Sequence, residues 1–178
     1  MIELMITVAI VGILAALATY GVSRYVRLSK ASEATQMIGA FKAAQETYKS
    51  DMFSYLDVAG EAGAISAASY YPAEKPIDRP RSWLQVSGSE SPVGLRIKRL
   101  GVVADAPVWF VYACAAGNGT QAPAGPQLTD PVENWPAQAT GQPWYVVSAR
   151  GDLNGDGVES RLTSASFTTQ IFAENDGE

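Results

Sequence analysis

The sequence predicts an α+β fold in which one long N-terminal α-helix packs on a small antiparallel β-sheet of about four strands. Three observations predict it. The first 23 of the 178 residues form an apolar run with a single charge, and apolar residues then recur at three- and four-residue steps up to residue 53. Four later segments are rich in β-branched and aromatic residues or alternate between apolar and polar. A helix followed by separate strands is the layout of an α+β domain.

The apolar run, residues 1–23, is long enough to cross the roughly 30 Å hydrocarbon core of a membrane as a helix. Its one charge is Glu3. A secretory signal peptide fits less well because its start is normally basic, although Ala16 to Ala18 offer a cleavage-like site. A simple membrane anchor explains the length and the apolarity but not Glu3, since an acid within a membrane helix is expensive and usually functional.

The next segment, residues 24–53, has the pattern of an amphipathic helix. Its apolar stripe consists of Ala34, Met37, Ile38, Phe41, Ala44, Tyr48 and Met52. No proline interrupts residues 1–53, so we expect one helix of about fifty residues, roughly 75 Å long. The chain then divides into an N-terminal helix, residues 1–53, and a globular head, residues 54–178. Within the helix, 1–23 is the transmembrane segment and 24–53 the amphipathic half.

The head begins with a connecting loop, residues 54–92, which is rich in Ala, Gly, Ser and Pro and has packing points at Tyr70, Tyr71 and Trp83. Residues 93–178 carry the sheet. The predicted strands are 95–99, 108–115, 144–150 and 164–172. A proline-rich loop, 116–143, separates the second strand from the third and contains Trp135 as an aromatic packing point.

A cation site is one interpretation of the Asp-rich segment 151–158. Asp152, Asn154 and Asp156 alternate and are followed by Gly157, as in the first half of a calcium loop, where the carbonyl of Val158 would be the next ligand. The bidentate Glu that should end such a loop is replaced by Thr163, and Glu159 is out of register. The other interpretation is a hairpin turn that joins the last two strands. Apart from the calcium of the first interpretation, we expect no cofactor.

Composition argues against catalysis and against nucleic-acid binding. The chain has no histidine and one cysteine, Cys114, which lies in an apolar segment and is expected in the core. The first fifty residues carry five Lys or Arg and three acids, so eight basic and fifteen acidic residues remain for the rest. An acidic head does not favour nucleic acid. After the helix, the sequence has one compact basic cluster, Arg96, Lys98 and Arg99, which is interpreted as a solvated strand face. We therefore predict that the protein is not an enzyme.

Residues 2–6 (IELMI) and 8–16 (VAIVGILAA) resemble the N-terminal signature of type IV pilins and of the related pseudopilins of type II secretion. The resemblance implies that Glu3 pairs with the N-terminal amine of a neighbouring subunit during filament assembly. It also implies a methylated N-terminus, a prepilin peptidase and an assembly platform as partners. The subunit would first span the inner membrane once and later form an extracellular filament with identical copies.

The chain departs from this family at its beginning. Pilins usually carry two more residues before the Ile-Glu pair and a short basic leader, and they often have Leu where Met1 stands and Pro where Tyr20 stands. Arg24, Arg27 and Lys30 follow the span, and alone they would be cytoplasmic by the positive-inside rule. A basic leader would restore the orientation a pilin needs. We therefore expect a start site placed too far downstream, or a trimmed chain.

These observations together predict a structural subunit that polymerises through its N-terminal helix into a type IV pilus at the bacterial cell surface. Adhesion and motility are roles that the resemblance associates with such filaments. One alternative is a pseudopilin or minor pilin of a type II secretion or pilus system. Another is a membrane-anchored calcium-binding or adhesive module that never polymerises.

Overall fold

The chain begins as one uninterrupted helix, α1 (Ile2–Met52), in the computed structural model, which describes residues 2–61, 63–76, 78–83, 91–129, 132, 135–136 and 141–176. The 51 residues of α1 correspond to a length of about 75 Å. The absence of proline is the local reason for this continuity, since proline removes a helix hydrogen bond and clashes with the preceding turn. The prediction of a single long helix is confirmed.

A four-stranded antiparallel sheet follows, in the order β1-β2-β3-β4. Its strands are β1 (Val111–Gly117), β2 (Trp144–Gly151), β3 (Ser160–Ala165) and β4 (Phe172–Glu174). β1 and β2 are paired over seven residues, from Val111 opposite Arg150 to Gly117 opposite Trp144. The long helix and the four-stranded antiparallel sheet confirm the predicted α+β class.

The strand predicted at 95–99 is wrong, because these residues belong to a helix, α2 (Pro92–Leu100). Ser91 caps it by accepting a hydrogen bond from the Gly94 N–H, and Pro92 occupies the first turn, where its missing N–H costs nothing. Gly101 ends α2 in the left-handed conformation, at φ 83°. Its buried residues, Val93, Ile97 and Leu100, are spaced four and three residues apart, which is the period of a helix. The predicted basic strand face is therefore part of a helix.

The strand predicted at 164–172 is also wrong in its bounds, because β3 ends at Ala165 and β4 begins at Phe172. The residues between them form a turn, in which the Thr168 N–H donates to the Ala165 carbonyl. The predicted single strand therefore spans the end of one strand and the start of the next. This is why the sheet still has four strands although 95–99 is helical.

The sheet separates two apolar regions. One face packs on α1 and α2, where Phe41, Tyr112 and Tyr145 are almost completely buried. The other face carries Trp144 and Val146 against Ala59 and Ala165. The predicted packing points of the connecting loop are confirmed, because Tyr70, Tyr71 and Trp83 are all buried.

The free edge of β1 is covered by the connecting loop. Tyr71 exchanges two backbone hydrogen bonds with Tyr112, and the Ala59 N–H donates to the Cys114 carbonyl. A short 3₁₀ helix, Ala67–Ser69, precedes Tyr70 and Tyr71 in this loop. The loop thus occupies edge groups that could otherwise pair with another chain.

Trp135 is the aromatic packing point expected in the proline-rich loop, and it is half-buried. Its ring centroid lies 5.7 Å from that of Phe167 and 5.3 Å from that of Phe172. These contacts attach the loop to the edge of the sheet that β4 forms. Residues 130, 131, 133, 134 and 137–140 of the predicted loop lie outside the described residues.

Candidate assembly surface

The first half of α1, residues 2–23, has no cover from the rest of the described chain. Its large apolar side chains are between 51 % exposed, at Ile10, and 74 % exposed, at Met5. The most apolar 18-residue window has a mean hydropathy of 2.3, and none of it is buried. Length and composition make this segment a candidate membrane span. An uncovered apolar surface of this size is typical of a contact with lipid or with other protein.

Glu3 lies in the first turn of α1 and is exposed. It is the single acidic residue between Ile2 and Ser32. An acid in the first turn is favourable for the helix, because the backbone N–H groups there carry partial positive charge. Its carboxylate is therefore presented at the outer surface of the apolar half.

The second half of α1, residues 24–52, is held by the head. Ala34, Ile38 and Phe41 are completely buried against the sheet and α2. The Phe41 ring stacks with Tyr112, with centroids 6.1 Å apart. This contact surface fixes the direction in which the apolar half projects from the head.

Glu33 links α1 to the start of β1. Its Oε1 accepts hydrogen bonds from the Trp109 N–H and the Tyr112 hydroxyl, each at 3.0 Å. Burial raises the pKa of Glu33, although these hydrogen bonds oppose the shift.

One turn earlier on α1, the Lys30 ammonium lies 3.5 Å from the centre of the Trp109 ring. Partial burial and the neighbouring Arg27 lower the pKa of Lys30.

Gln45 links α1 to the segment that follows it. Its Nε2 donates to the Leu56 carbonyl at 2.8 Å and to Cys114 Sγ at 3.1 Å, and its Oε1 accepts from the Leu56 N–H at 3.0 Å. The side chain is completely buried, so it supplies both backbone groups of Leu56 with partners that water cannot reach.

Cys114 is buried in the core, as expected, and burial raises the pKa of its thiol to about 12. A thiol in this state is unreactive, because the thiolate is the nucleophile.

Lys42 makes a third polar contact between helix and sheet. Its ammonium donates to Ser164 Oγ at 3.0 Å and to the Thr168 carbonyl at 2.6 Å. Partial burial lowers the pKa of Lys42, while Glu46 opposes that shift. Glu33, Lys42 and Gln45 thus fix the orientation of the helix on the head, in addition to the apolar packing.

The Asp-rich segment forms the connection between β2 and β3, as the hairpin interpretation predicts. The Asp152 carboxylate accepts from the Gly155 and Gly157 N–H groups, at 2.7 and 3.2 Å. Asn154 Oδ1 accepts from the Asp156 N–H, and Asp156 Oδ1 accepts from the Val158 N–H. The side chains of Asp152, Asn154 and Asp156 therefore accept hydrogen bonds from the loop's own backbone amides. The calcium assignment stays a prediction.

Glu159 is the next acidic residue along the chain after Asp156, and two arginines bind it. Arg150 Nε donates to it at 2.7 Å, and Arg161 approaches to 2.9 Å. Burial alone would raise the pKa of Glu159, but the hydrogen bonds and charges of Arg150 and Arg161 hold it below its ordinary value. Within the described ranges, no group of three His, Cys, Asp or Glu side chains is placed to hold a metal ion.

The C-terminal end of α1 presents an exposed aromatic residue. Phe53 follows the helix in the left-handed conformation, at φ 60°, and is 88 % exposed. Its N–H closes the helix by donating to the Lys49 carbonyl at 2.9 Å. Next to it lies an open cleft of about 270 Å³, lined by Ser54, Tyr55, Ala116, Gly117, Asn118, Thr120 and Gln121. The Phe53 side chain therefore contributes little to the chain's own core.

The contacts of Glu33 and Gln45 and the exposure of Phe53 are not predicted from the sequence. A usable signal existed for Gln45, which occupies a stripe position between Phe41 and Tyr48 that would otherwise be apolar. Glu33 and Phe53 had no such signal. The partners of Glu33 follow 76 and 79 residues later, and the exposure of Phe53 depends on its backbone conformation.

Comparison with protein-family models, with curated proteins and with solved structures finds no match.

Proposed function

We propose that this protein is the structural subunit of a type IV pilus, which waits in the inner membrane and polymerises into an extracellular filament. The observation that carries the proposal is the contrast within α1. Its first half is apolar and completely uncovered, while its second half is fixed to a folded head. A subunit of this shape can exchange lipid for the helices of other copies without refolding its head.

Glu3 supports the same proposal. A carboxylate among packed apolar helices is stable when it meets a cation, and it is costly when it is left alone. In the proposed filament, Glu3 of one copy pairs with the N-terminal amine of a neighbour. The pairing makes each helix depend on the next and sets their relative position along the filament.

The direct test is electron microscopy of material sheared from the surface of cells that produce the full chain. We expect abundant filaments that contain the chain. Their absence, with the chain present in the membrane, would contradict the proposal and favour the membrane-anchored module that does not polymerise. Rare incorporation into filaments made of another subunit would favour a pseudopilin or minor pilin.

A matched pair of variants tests the part assigned to Glu3. We expect Glu3→Ala to abolish filaments while the subunit still accumulates in the membrane, because the change removes a charge and leaves the apolar span intact. Glu74→Ala makes the same substitution at an exposed acid of the head and should leave filaments normal. Normal filaments from Glu3→Ala would show that the carboxylate has no part in assembly.

A further inference from the structure

We propose that the chain binds anionic phospholipid headgroups through a basic patch on α1, directly after the apolar half of the helix. The basic patch consists of Arg24, Arg27 and Lys30. The inference rests on one part of the proposed function, the membrane span of residues 2–23, and it does not require that the subunit later forms a filament. The partner is a phosphate-bearing headgroup of net negative charge in the leaflet that faces the head.

The basic patch lies at the depth of lipid headgroups. At a rise of about 1.5 Å per residue, its residues lie about 1.5 to 10 Å beyond Ser23, the last residue of the apolar run. The headgroup layer on each side of a bilayer is about 5–8 Å thick. Helical side chains tilt toward the N-terminus, here toward the membrane, so the long side chain of Lys30 reaches back toward this layer. With residues 2–23 in the membrane, position along the helix therefore brings all three cations beside headgroups.

The three cations also share one side of α1, the side that carries the head. Arg27 precedes the buried Ala31 by four residues, and Lys30 precedes the buried Ala34 by four, so both continue the head-facing stripe toward the membrane. Arg24 precedes Arg27 by three residues and is exposed. At 3.6 residues per turn the three side chains fall within about 120° of the helix circumference. They therefore form one surface.

No neighbouring acid on α1 offsets the basic patch. The chain has no Asp or Glu between Glu3 and Glu33, and the Glu33 carboxylate already accepts hydrogen bonds from the head. Within the described ranges, Lys30 forms no ion pair with a carboxylate. Partial burial and the nearby positive charge of Arg27 lower the pKa of Lys30. A phosphate beside these two cations would relieve their repulsion, so the patch favours an anion.

The head contributes acids at the same end, and each has groups that oppose its charge. Asp78 acts on Lys30 through its charge, but its carboxylate lies 3.9 Å from Arg79 Nε. The acidic hairpin reaches this end because Gly155 lies beside Asp78. Its Asp152 carboxylate accepts hydrogen bonds from the hairpin's own amides, whose partial positive charge partly offsets it. The basic patch on α1 therefore keeps its positive charge.

Trp109 joins the basic patch to the head. Its ring centre lies 3.5 Å from the Lys30 ammonium, and its side chain is half-buried. Tryptophan is enriched at membrane–water interfaces, because its ring is apolar while its ring N–H is polar. The Trp109 backbone is held by Glu33 through a hydrogen bond of 3.0 Å. A headgroup bound at Lys30 would therefore hold the head against the membrane surface through contacts that are already packed.

Lipid selectivity at the boundary of the inserted chain tests the contact. The full chain is reconstituted in phosphatidylcholine bilayers that contain a trace of spin-labelled phosphatidylglycerol or of spin-labelled phosphatidylcholine. Electron paramagnetic resonance then measures how much of each probe lipid the protein immobilises. We expect a several-fold preference for phosphatidylglycerol at low salt. The preference should fall toward equality at high salt, because salt screens exposed charges.

Two triple variants at the same positions show whether the charges are responsible. Arg24→Gln with Arg27→Gln and Lys30→Gln removes the basic patch and should abolish the preference. Arg24→Lys with Arg27→Lys and Lys30→Arg alters the same side chains, keeps all three charges and should keep the preference. Flotation with the vesicles checks that each variant is inserted.

A matched control removes the same residue types elsewhere. Arg96→Gln with Lys98→Gln and Arg99→Gln takes two arginines and one lysine from α2. This cluster lies away from the span, because Arg96 donates to the carbonyls of Val58 and Ala59, just after the C-terminal end of α1. The control variant should keep the preference for phosphatidylglycerol.

The outcomes separate this inference from the proposed function. If the unmodified chain inserts into neither bilayer, the membrane span fails, and the proposed function and the lipid contact fail with it. If the chain inserts but immobilises both probe lipids equally, only the lipid contact is overturned. The lipid contact is also overturned if the variant without the basic patch keeps the preference, or if the α2 control or the charge-conserving variant loses it.

Discussion

The two halves of α1 have the same backbone conformation and opposite surroundings. Ile38 is completely buried under the head, whereas Ile13 on the same helix is 63 % exposed. The difference does not come from apolarity, because the uncovered half is the more apolar of the two. It comes from the head, which buries the apolar stripe of the second half and adds polar contacts through Glu33, Lys42 and Gln45. The first half makes no such contacts with the described part of the head, so its surface is available to lipid or to other protein.

The largest expected difference in stability is between two variants that make the same Ile→Ala substitution, one in each half of α1. Ile38→Ala removes buried methyl and methylene groups and should lower the free energy of unfolding of the head by about 2–5 kcal/mol. Ile13→Ala removes the same groups from an uncovered position and should leave that free energy unchanged. Chemical unfolding of the full chain in detergent micelles, followed by tryptophan fluorescence, measures both. Equal losses for the two variants would mean that the halves do not differ in the way described.

Gln45 should give the next largest effect. Gln45→Ala leaves the N–H and carbonyl of Leu56 without their side-chain partner in a buried place, and each such loss costs about 1–3 kcal/mol. Gln36→Ala is the matched control, because Gln36 is exposed on the same helix. The same unfolding measurement compares them. A Gln45→Ala protein as stable as the control would exclude Gln45 as a link between helix and head.

The contributions of Glu33 and Glu159 to stability should change with pH in opposite directions. Burial raises the pKa of Glu33 above its ordinary value of 4.5, so the folded chain binds the proton more tightly than the unfolded chain does. Its contribution to stability therefore falls as pH rises from 4.5 through the raised value. The pKa of Glu159 is lowered by Arg150 and Arg161, so its contribution is complete above 4.5 and is lost as pH falls through the lowered value.

Two amide variants separate these contributions. Glu33→Gln should remove a decline in stability above pH 4.5, and Glu159→Gln should remove a decline below it. Both effects should stay below about 1 kcal/mol, because solvent screens these partly exposed groups. The measurement is the midpoint of chemical unfolding as a function of pH. Identical pH profiles for the two variants would contradict the assigned directions.

The smallest effect is expected from calcium. The oxygens of Asp152, Asn154 and Asp156 already accept hydrogen bonds from the loop, and Glu159 is bound by two arginines. We therefore expect no change in melting temperature at millimolar calcium. A rise that disappears in Asp152→Asn would show that the hairpin turn is a cation site after all.

Local patterns predicted much of the fold. The uninterrupted helix followed from the absence of proline, and β1 and β2 followed from β-branched and aromatic runs. The segment 95–99 was misassigned because Leu95 and Ile97 alternate with the basic residues Arg96 and Lys98, as apolar and polar residues do in a strand. The decisive signals were the cap Ser91 and the helical spacing of Val93, Ile97 and Leu100.

The surroundings of the candidate surface were harder to predict. The exposure of the first half and the place of Glu3 follow from a local apolar pattern. The hydrogen bonds of Glu33 join residues more than seventy positions apart, and no local pattern encodes such a pairing. The left-handed conformation of Phe53 is unusual for an aromatic residue, so propensity favours the opposite prediction.

The central claim is that other copies of the same segment cover the first half of α1 in the filament. A spin label at Val11→Cys tests it directly, because Val11 is 63 % exposed and the lone native thiol, Cys114, is buried. Electron paramagnetic resonance should show strong spin–spin broadening in sheared filaments and none when the same chain is diluted in lipid bilayers. Filaments with a narrow spectrum, the same as in dilute bilayers, would contradict the account.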